Sequence, residues 1–266
     1  MTDSSGSGRD GDETGLPASL EAAWGLRERP SKGPKPGLSL DRIVEAAVSL
    51  AAAEGLAAVS MGRVAKELGV STMSLYRYVA AKDELYILMQ EAATGAPPAP
   101  PGPEAGWREA LTAWAWAQRE VVHRNLWMLR IPISGPPASP NSVAWWEQGL
   151  QALESTGLSE GEKISVVLLV GGFVRNEALL MADLGAAMAA SGLTPEQTLT
   201  RTATTLKRLT DPERHPALVR LLESNVLYEA DSPDYEFRWG LERVLDGVDV
   251  LIAGRGGGCP PPRPVP

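Results

Sequence analysis

The stretch VSMGRVAKELGVSTMSLYRYVAAKDELYILM, residues 59–89, carries the most specific structural pattern in this 266-residue chain. Ser60 and Ser71 each stand just before apolar residues at helical spacing, where a serine side chain can cap a helix. Gly69 lies between the two runs, at a turn that needs a residue tolerant of positive φ. The pattern predicts two short helices joined by a tight turn, a geometry that can place the second helix in the major groove of DNA.

The sequence on both sides continues the helical pattern. Apolar residues recur at steps of three and four from Ser39 to Gly55, which predicts an amphipathic helix, and another helix begins near Lys82. The segment 95–106, GAPPAPPGPEAG, holds five prolines and predicts a linker. No useful length alternates with the period of a strand, so the chain is expected to be all-α. Further candidate helices cover residues 107–124, 144–156, 162–190, 195–209, 216–228 and 234–253.

Charge is distributed unevenly along a chain whose net charge is −8. Residues 27–82 carry nine basic and five acidic side chains, a net charge of +4. The flanking segments 1–26 and 83–266 are acidic, with net charges of −4 and −8. The basic segment contains the two predicted short helices, as expected of a small polyanion-binding unit attached to a larger acidic body.

Cysteine and histidine are scarce. Cys259 is the only cysteine, so no internal disulfide can form, and His123 and His215 lie outside any zinc-ligand spacing. We expect neither a metal nor a cofactor. The acidic N-terminus lacks the pattern of a signal peptide, and the longest apolar run, residues 164–174, is too short to cross a bilayer. These features predict a cytoplasmic protein that does not enter a membrane.

Residues 59–89, with the helix before them, resemble the DNA-binding domain of the TetR family of transcriptional regulators. The similarity covers about residues 38–92, and the run GVSTMSLYRYVAAKDEL resembles the recognition helix and the start of the next helix. It implies an all-α chain with an N-terminal three-helix helix-turn-helix DNA-binding domain, followed by a larger helical ligand-binding and dimerisation domain. The expected segments are a disordered extension (1–26), in which residues 20–26 can form a short helical piece, a basic arm (27–38), the DNA-binding domain (39–95), the effector-binding and dimerisation domain (107–253) and a disordered tail (254–266).

Candidate DNA contacts lie mainly on the third predicted helix, which follows Ser71 and runs to about Val79, with Leu75 and Val79 expected in the core. Short or flexible side chains in its first turn can approach base edges, and its tyrosines and arginine can reach phosphates. Lys82 is placed like the phosphate-binding lysine of the family. Packing is the competing role for one of Tyr76 and Tyr78, and helix initiation is the competing role for Thr72. The full set is Ser60, Arg63, Thr72, Met73, Ser74, Tyr76, Arg77, Tyr78, Lys82 and Lys35.

Two features qualify this set. Gly62 stands where relatives often carry a basic or polar residue, and a glycine makes no side-chain contact with DNA, although Arg63 beside it could compensate. Lys32 and Lys35 belong to the segment RERPSKGPKPG, residues 27–37. A basic arm of this kind can follow phosphates or enter the minor groove, or it can serve only as a linker.

The resemblance implies a homodimer joined by a four-helix interface. The helix predicted over residues 234–253 is apolar around much of its circumference, so its surface must be buried by a partner or within the chain. The helix over residues 162–190 is the second candidate, because Gly171 and Gly172 permit close approach or a bend. The interface candidates are Phe237, Leu241, Val244, Leu245 and Val248.

The resemblance also implies an internal effector pocket. Tryptophan and methionine side chains of the larger domain could line an apolar cavity, or they could simply form the core. Asn176 follows an eleven-residue apolar run and could orient a ligand there, or it could lie on an exposed turn. The pocket candidates are Trp114, His123, Trp127, Met128, Trp146, Phe173 and Asn176.

We therefore expect a sequence-specific DNA-binding regulator: a homodimeric repressor that a small-molecule effector releases from a pseudopalindromic operator. The alternatives are an activator or a ligand-independent regulator of the same fold, and, from another class, a helical protein-interaction scaffold. The sequence has no Gly-rich phosphate loop, no G-x-S-x-G and no metal-ligand cluster, so an enzyme is not expected. The expected partners are operator double-stranded DNA, an unidentified small molecule and a second copy of the chain.

Overall fold

The computed structural model describes residues 15–26, 38–133, 135, 138–224, 226, 232 and 234–256. Within these ranges the chain forms eleven α-helices and no strand, which confirms the all-α prediction. The helices are α1 (Ala18–Ala23), α2 (Leu40–Glu54), α3 (Met61–Glu67), α4 (Thr72–Leu75), α5 (Lys82–Thr94), α6 (Trp107–Arg124), α7 (Pro140–Gln151), α8 (Glu160–Ser191), α9 (Pro195–Leu209), α10 (Pro216–Glu223) and α11 (Tyr235–Gly256).

Most predicted helices differ from the observed ones only by a few residues at their ends. The largest change near the candidate site is in α4, which was expected to run to Val79 but ends at Leu75. A turn carries the chain onward, with the Val79 amide donating to the Leu75 carbonyl at 3.0 Å. α7 begins at Pro140 rather than at residue 144, because proline suits the first position of a helix.

The predicted disorder of residues 1–26 is wrong for part of that segment, and the short helical piece expected over residues 20–26 is present slightly earlier in the chain. Residues 18–23 form α1, and Leu20 is buried with only 2% of its surface exposed. The Gly/Ser/Asp-rich composition that predicted disorder ends before this point, where apolar residues begin. The predicted tail begins too early as well, because α11 continues to Gly256. The arm residues Lys32 and Lys35 lie outside the described residues.

The chain divides into two compact units. The first unit comprises Met1–Pro97 and Arg130–Glu147, and the second comprises Pro98–Leu129 and Gln148–Pro266. From the sequence, residues 130–147 were expected in the larger domain. They belong with the first unit because the start of α7 binds the end of α5: the Asn141 amide donates to Glu91 at 3.0 Å, and the Trp145 indole donates to the Gly95 carbonyl at 3.0 Å.

The core of the first unit forms between α2, α3, α4 and α5. Ser39 caps α2 by accepting a hydrogen bond from the Arg42 amide. The buried face of α2 then packs against α3 and α5, and Leu75 and Val79 are fully buried beside it, as the sequence predicted. The buried side chains are Ile43, Val44, Ala47, Leu50, Ala51, Val59, Met61, Val64, Ala65, Leu75, Val79, Leu85, Leu88 and Met89.

The core of the second unit lies between α6, α8 and α11. Phe237 of α11 is fully buried, with its ring edge-on to Trp116 at 4.7 Å and stacked on Phe173 at 5.5 Å between centroids. Gly240 makes this packing possible, because a Cβ at that position would lie 2.7 Å from the Phe173 ring. The close approach of α8 and α11 therefore requires a glycine at residue 240.

A buried ion pair accompanies this aromatic cluster. The Arg119 guanidinium of α6 lies 3.4 Å from the Glu177 carboxylate of α8 and 2.8 Å from Asp234. It also lies 4.7 Å from the centroid of the Phe237 ring, close enough for a cation–π contact. One arginine thus joins α6 to α8 and to the start of α11.

Candidate DNA-binding site

The turn between α3 and α4 is closed by backbone hydrogen bonds. The Val70 amide donates to the Ala65 carbonyl at 3.0 Å, and the Gly69 amide donates to Lys66 at 3.2 Å. Gly69 has φ of 67°, the left-handed conformation for which the sequence required glycine. α4 begins at Thr72, three residues later, and packs against α3. The predicted helix-turn-helix geometry is present.

A group of exposed side chains projects from α4 and the turn after it. Met73 is 74% exposed and Tyr76 is 46% exposed, and Arg77 is exposed as well. Thr72 and Ser74 are half-buried, and the Ser74 hydroxyl lies 2.9 Å from that of Ser71. This surface offers a cation, hydroxyl groups and a flexible apolar side chain, a mixture suited to phosphates and base edges. We call Met73, Tyr76, Arg77 and Lys82 the reading surface.

Tyr78 differs from Tyr76 in its contacts. Its hydroxyl donates to the Leu38 carbonyl at 3.1 Å, just before α2, although its ring is still partly exposed. Tyr78 therefore ties the end of the recognition segment to the start of the first core helix. The packing role left open for one of the two tyrosines fits Tyr78, and the exposed position fits Tyr76.

Lys82 is the first residue of α5, and its side chain is exposed. Its Nζ lies 5.1 Å from the centroid of the Tyr86 ring. A cation is unfavourable at the positive end of a helix, so an anion bound beside it would offset that repulsion. Glu84 accepts a hydrogen bond from the Ala80 amide, at 2.5 Å, and thereby fixes the backbone just before Lys82.

The candidates on α3 are engaged within the chain. The Ser60 hydroxyl accepts from the Arg63 amide at 3.2 Å and caps α3. The Arg63 guanidinium lies 2.6 Å from the Glu54 carboxylate in an exposed pair, which DNA can break at little cost. Gly62 is exposed, and a Cβ built there meets nothing within 4 Å. The surface beside Gly62 therefore has room for a side chain. Lys35 lies outside the described residues.

The interface candidates on α11 lie in the core of the second unit. Phe237, Leu241, Leu245 and Val248 are at most 3% exposed, and Val244 is half-buried. The prediction that these residues face a partner is wrong for the four buried ones, because α6 and α8 already cover them. The sequence missed the face that is exposed. On α8 it carries Leu168, Leu169, Leu180 and Leu184, and on α11 it carries Tyr235, Trp239 and Val250.

The effector candidates do not come together in one pocket. Trp114, Trp127 and Met128 are buried, while Trp146 and Phe173 are half-buried. His123 and Asn176 are exposed, so the prediction that Asn176 faces an enclosed cavity is wrong for this chain. The nitrogen of the Trp127 indole is buried without a hydrogen-bond partner, a free donor inside the second unit.

A pocket does lie in the second unit, at a place the sequence did not indicate. It has a volume of about 220 Å³ and is enclosed by the proline-rich linker, the start of α6 and the end of α7. Trp114 is the one effector candidate that lines it. Gln148, on its wall, donates to the Pro98 carbonyl at 2.6 Å, and its own side-chain oxygen is buried without a partner. The composition of the linker, with its five prolines, did not predict that it would line a pocket.

The described residues include no group of three or more His, Cys, Asp or Glu side chains placed to hold a metal.

Comparisons with known proteins agree with this geometry. A family model described as bacterial regulatory proteins of the tetR family matches residues 43–89, and a tetracyclin repressor-like C-terminal domain model matches residues 99–252. The HTH-type transcriptional repressor DrrR1 of Streptomyces coeruleorubidus is 38% identical to this chain over 263 residues, which is 98% of this chain and 93% of that protein.

Solved structures give the same result. The apo structure of ActR from Streptomyces coelicolor is similar with a TM-score of 0.68 at 29% identity, over 84% of this chain and 99% of that chain. The structure of ActR in complex with actinorhodin gives the same TM-score and identity, over 84% of this chain and 100% of that one.

Proposed function

The chain belongs to the TetR family of transcriptional regulators, and from that premise we propose that it is a homodimeric repressor that leaves its operator when a small molecule binds the second unit. A DNA-binding regulator of this family is not an enzyme. The observation that carries the proposal is the reading surface: exposed Met73, Tyr76, Arg77 and Lys82, held on the fully buried Leu75 and Val79.

Contacts with DNA follow from the chemistry of that surface. Met73 and Tyr76 approach base edges in the major groove, while Thr72 and Ser74 lie close enough to contribute hydroxyls. Arg77 donates to a phosphate or to guanine, and Lys82 binds a phosphate at the start of α5. The basic segment 27–37, with Lys32 and Lys35, adds a contact along the backbone or in the minor groove.

A second copy of the chain covers the exposed apolar face of α8 and α11. Exposed leucines on α8 and exposed aromatic and aliphatic residues on α11 would otherwise face water, and large apolar side chains exposed in such numbers support an interface. A two-fold pair presents two reading surfaces, which matches a pseudopalindromic operator.

A membrane is a less suitable partner for α8. The helix is long and apolar enough to cross a bilayer by length and composition, a weak criterion that core helices also meet. Its middle, however, carries Arg175 and the buried Glu177, which pairs with Arg119 of α6. Charged side chains paired with a neighbouring helix in this way fit a core and interface helix. We place the protein in the cytoplasm with its DNA.

The pocket beside the proline-rich linker is the effector site in this proposal. Its walls are mostly alanines and prolines with Trp114, which suit an apolar ligand, and Gln148 and Gln151 add polar groups. The amide orientation of Gln148 is fixed by its hydrogen bond to Pro98, so the free side-chain oxygen requires a donor. The effector is therefore an apolar molecule with a hydroxyl or N–H group. Relatives support ligand control, since ActR has been crystallised with actinorhodin and with (S)-DNPA.

A gel-retardation titration tests the regulator. The purified chain is added to DNA from upstream of its own coding sequence and to fragments selected from a random pool. Specific, salt-sensitive binding by two chains per site is expected. Failure to select any sequence with ligand-stripped protein would favour the protein-interaction scaffold instead.

The effector site is tested in the same assay. Small molecules that release the DNA from the wild-type chain are titrated against Gln148→Leu and against Glu109→Gln, an exposed change on α6 outside the pocket. Gln148→Leu is expected to weaken release about tenfold or more, because the ligand loses its acceptor, while Glu109→Gln releases normally. Equal release by both variants would place the effector elsewhere.

A further inference from the structure

The N-terminal helix α1 is short but docked. It has six residues, too few to be stable alone in water. Nevertheless Leu20 is 2% exposed and Ser19 is 4% exposed, so this part of the chain is packed against the first unit. The order of α1 therefore comes from its contacts and not from its own propensity.

The first of these contacts is to the DNA-binding segment. The Ser19 hydroxyl donates to one carboxylate oxygen of Glu84, while the other oxygen accepts from the Ala80 amide. Glu84 is buried, so its carboxylate depends on such donors. The N-cap of α5 is Ala81, which has no capping side chain. Glu84 is thus the side chain that fixes the backbone at the start of α5, and Ser19 fixes Glu84.

The second contact lies at the other end of α1. The Trp24 indole donates to the Ala138 carbonyl at 2.8 Å, in the segment that leads into α7. Gly25, with φ of 71°, and a hydrogen bond from the Leu26 amide to the Glu21 carbonyl end the helix. α1 is therefore held at two points of the first unit, one of them two residues from Lys82.

We propose that α1 is a positioning element for DNA binding: Ser19 and Leu20 hold Glu84 in the rotamer that binds the Ala80 amide, and this sets where Lys82 meets a phosphate. Ser19, Leu20 and Glu84 are positioning residues that do not touch DNA. The inference rests on the proposed contact of Lys82. It predicts that uncharged changes on the buried face of α1 weaken operator binding through Lys82.

Point variants in the full-length chain test the proposal, with a DNA fragment selected by the wild-type chain from a random pool. Deletion of residues 1–26 is unsuitable, because it also removes a net charge of −4 and so reduces repulsion from DNA. Ser19→Ala and Leu20→Ser change no charge. Ala23→Ser, an exposed change on the same helix, is the matched control. Leu20→Ser is expected to weaken binding about tenfold and to reduce the slope of log K against log salt by about one, as for loss of one phosphate contact.

The same variants are then combined with Lys82→Ala. If α1 acts through Lys82, Leu20→Ser weakens binding in this background by less than about threefold, because the contact is already gone. Hydrogen exchange gives an independent readout: Leu20→Ser and Ser19→Ala should accelerate exchange of the Ala80 amide while leaving the α2 core amides protected.

Three results would overturn the inference: wild-type affinity of both α1 variants, the same loss of affinity with and without Lys82, or unchanged exchange at Ala80. A general loss of folding would appear as faster exchange throughout α2 and would count against a positioning role. If Lys82→Ala alone leaves affinity and salt slope unchanged, the proposed phosphate contact itself is wrong, and that failure is distinct from a failure of α1.

Discussion

The backbone that carries Met73, Tyr76 and Arg77 is anchored by buried residues next to them in the sequence. Leu75 separates Ser74 from Tyr76, and Val79 follows Tyr78; both apolar side chains are fully buried. Alternation of buried and exposed positions over so few residues leaves little freedom to the backbone between them. The backbone of this segment therefore loses little further entropy when the surface binds.

Removal of the cations should separate two kinds of DNA contact. Arg77→Ala and Lys82→Ala are both expected to weaken operator binding, and Lys82→Ala should reduce the salt slope of log K by about one unit. Affinities measured across a salt series give the slope. Arg201→Ala, an exposed change on α9, controls for the loss of one positive charge. A salt slope unchanged by Lys82→Ala would contradict the phosphate contact.

Gly62 can accept a side chain. The residue lies inside α3 on an exposed face, and a Cβ there meets no atom within 4 Å. Gly62→Ala should therefore stabilise the chain by up to ~1 kcal/mol, because glycine is a poor helix former. Urea unfolding measures the change, and a lower midpoint would contradict it. Gly62→Lys should in addition tighten operator binding by adding a cation to α3.

Residue-scale predictions from the sequence succeeded where burial follows local spacing. Leu75, Val79 and Gly69 were assigned correctly, because a short helix and a tight turn define their surroundings. Asn176 could not be assigned in this way. Its exposure depends on how α6 and α11 pack around α8, and a pattern along one helix does not contain that information.

α11 was predicted correctly as a helix, but the residues expected to face a partner lie mostly in the core. Its apolar circumference correctly predicted that much of its surface must be buried. The pattern did not say which face meets its own chain and which face stays open. The core face carries Phe237, Leu241 and Leu245, while Trp239 and Val250 are exposed. Gly240 lies where the Phe173 ring approaches α11, and a Cβ there would be 2.7 Å from that ring.

The two faces predict different outcomes for the same substitution. Leu245→Glu places a carboxylate in the core and should destabilise the chain by ~3 kcal/mol or more. Leu180→Glu lies on the exposed face of α8 and should leave the fold intact but produce monomers. Thermal unfolding followed by circular dichroism and light scattering distinguish these results. A dimeric, fully folded Leu180→Glu chain would place the interface elsewhere.

Acid should weaken the ties that hold α11. Hydrogen bonds from Arg255 and from Ser159 lower the pKa of Glu162 to about 2, and Arg108 with Arg243 lowers the pKa of Asp246. A carboxyl whose pKa is depressed by folding stabilises the fold above its unfolded pKa and loses that contribution as pH falls towards its folded pKa. The melting temperature should therefore fall as pH drops from about 4.5 towards 2, and Glu162→Gln should reduce that dependence. An identical pH profile for the variant would contradict this role.

The whole molecule combines a small net-basic segment with a larger acidic remainder, a distribution that follows directly from counting charged residues along the chain. The all-α class was equally predictable, because helical spacing recurs along most of the sequence. The placement of residues 130–147 in the first unit and the docking of α1 there were not predictable, because both depend on contacts between distant parts of the chain.

The oligomeric state is a property of the whole molecule. Light scattering should give twice the 28.3 kDa of one chain, with no dependence on DNA, because α8 exposes four leucines and α11 exposes Tyr235, Trp239 and Val250. Retardation at known protein concentration should then give two chains per operator. A monomer that pairs only on DNA would contradict a preformed interface.

The position of core residues on the last helix also has a genetic consequence. Phe237, Leu241 and Leu245 complete the packing of the second unit, yet they follow α6 and α8, the helices they pack against, by many residues in the chain. A nonsense mutation as late as codon 236 would therefore remove the centre of the fold rather than a dispensable end. Such an allele should behave as a complete loss of function, with the target genes expressed as they are when the whole gene is deleted.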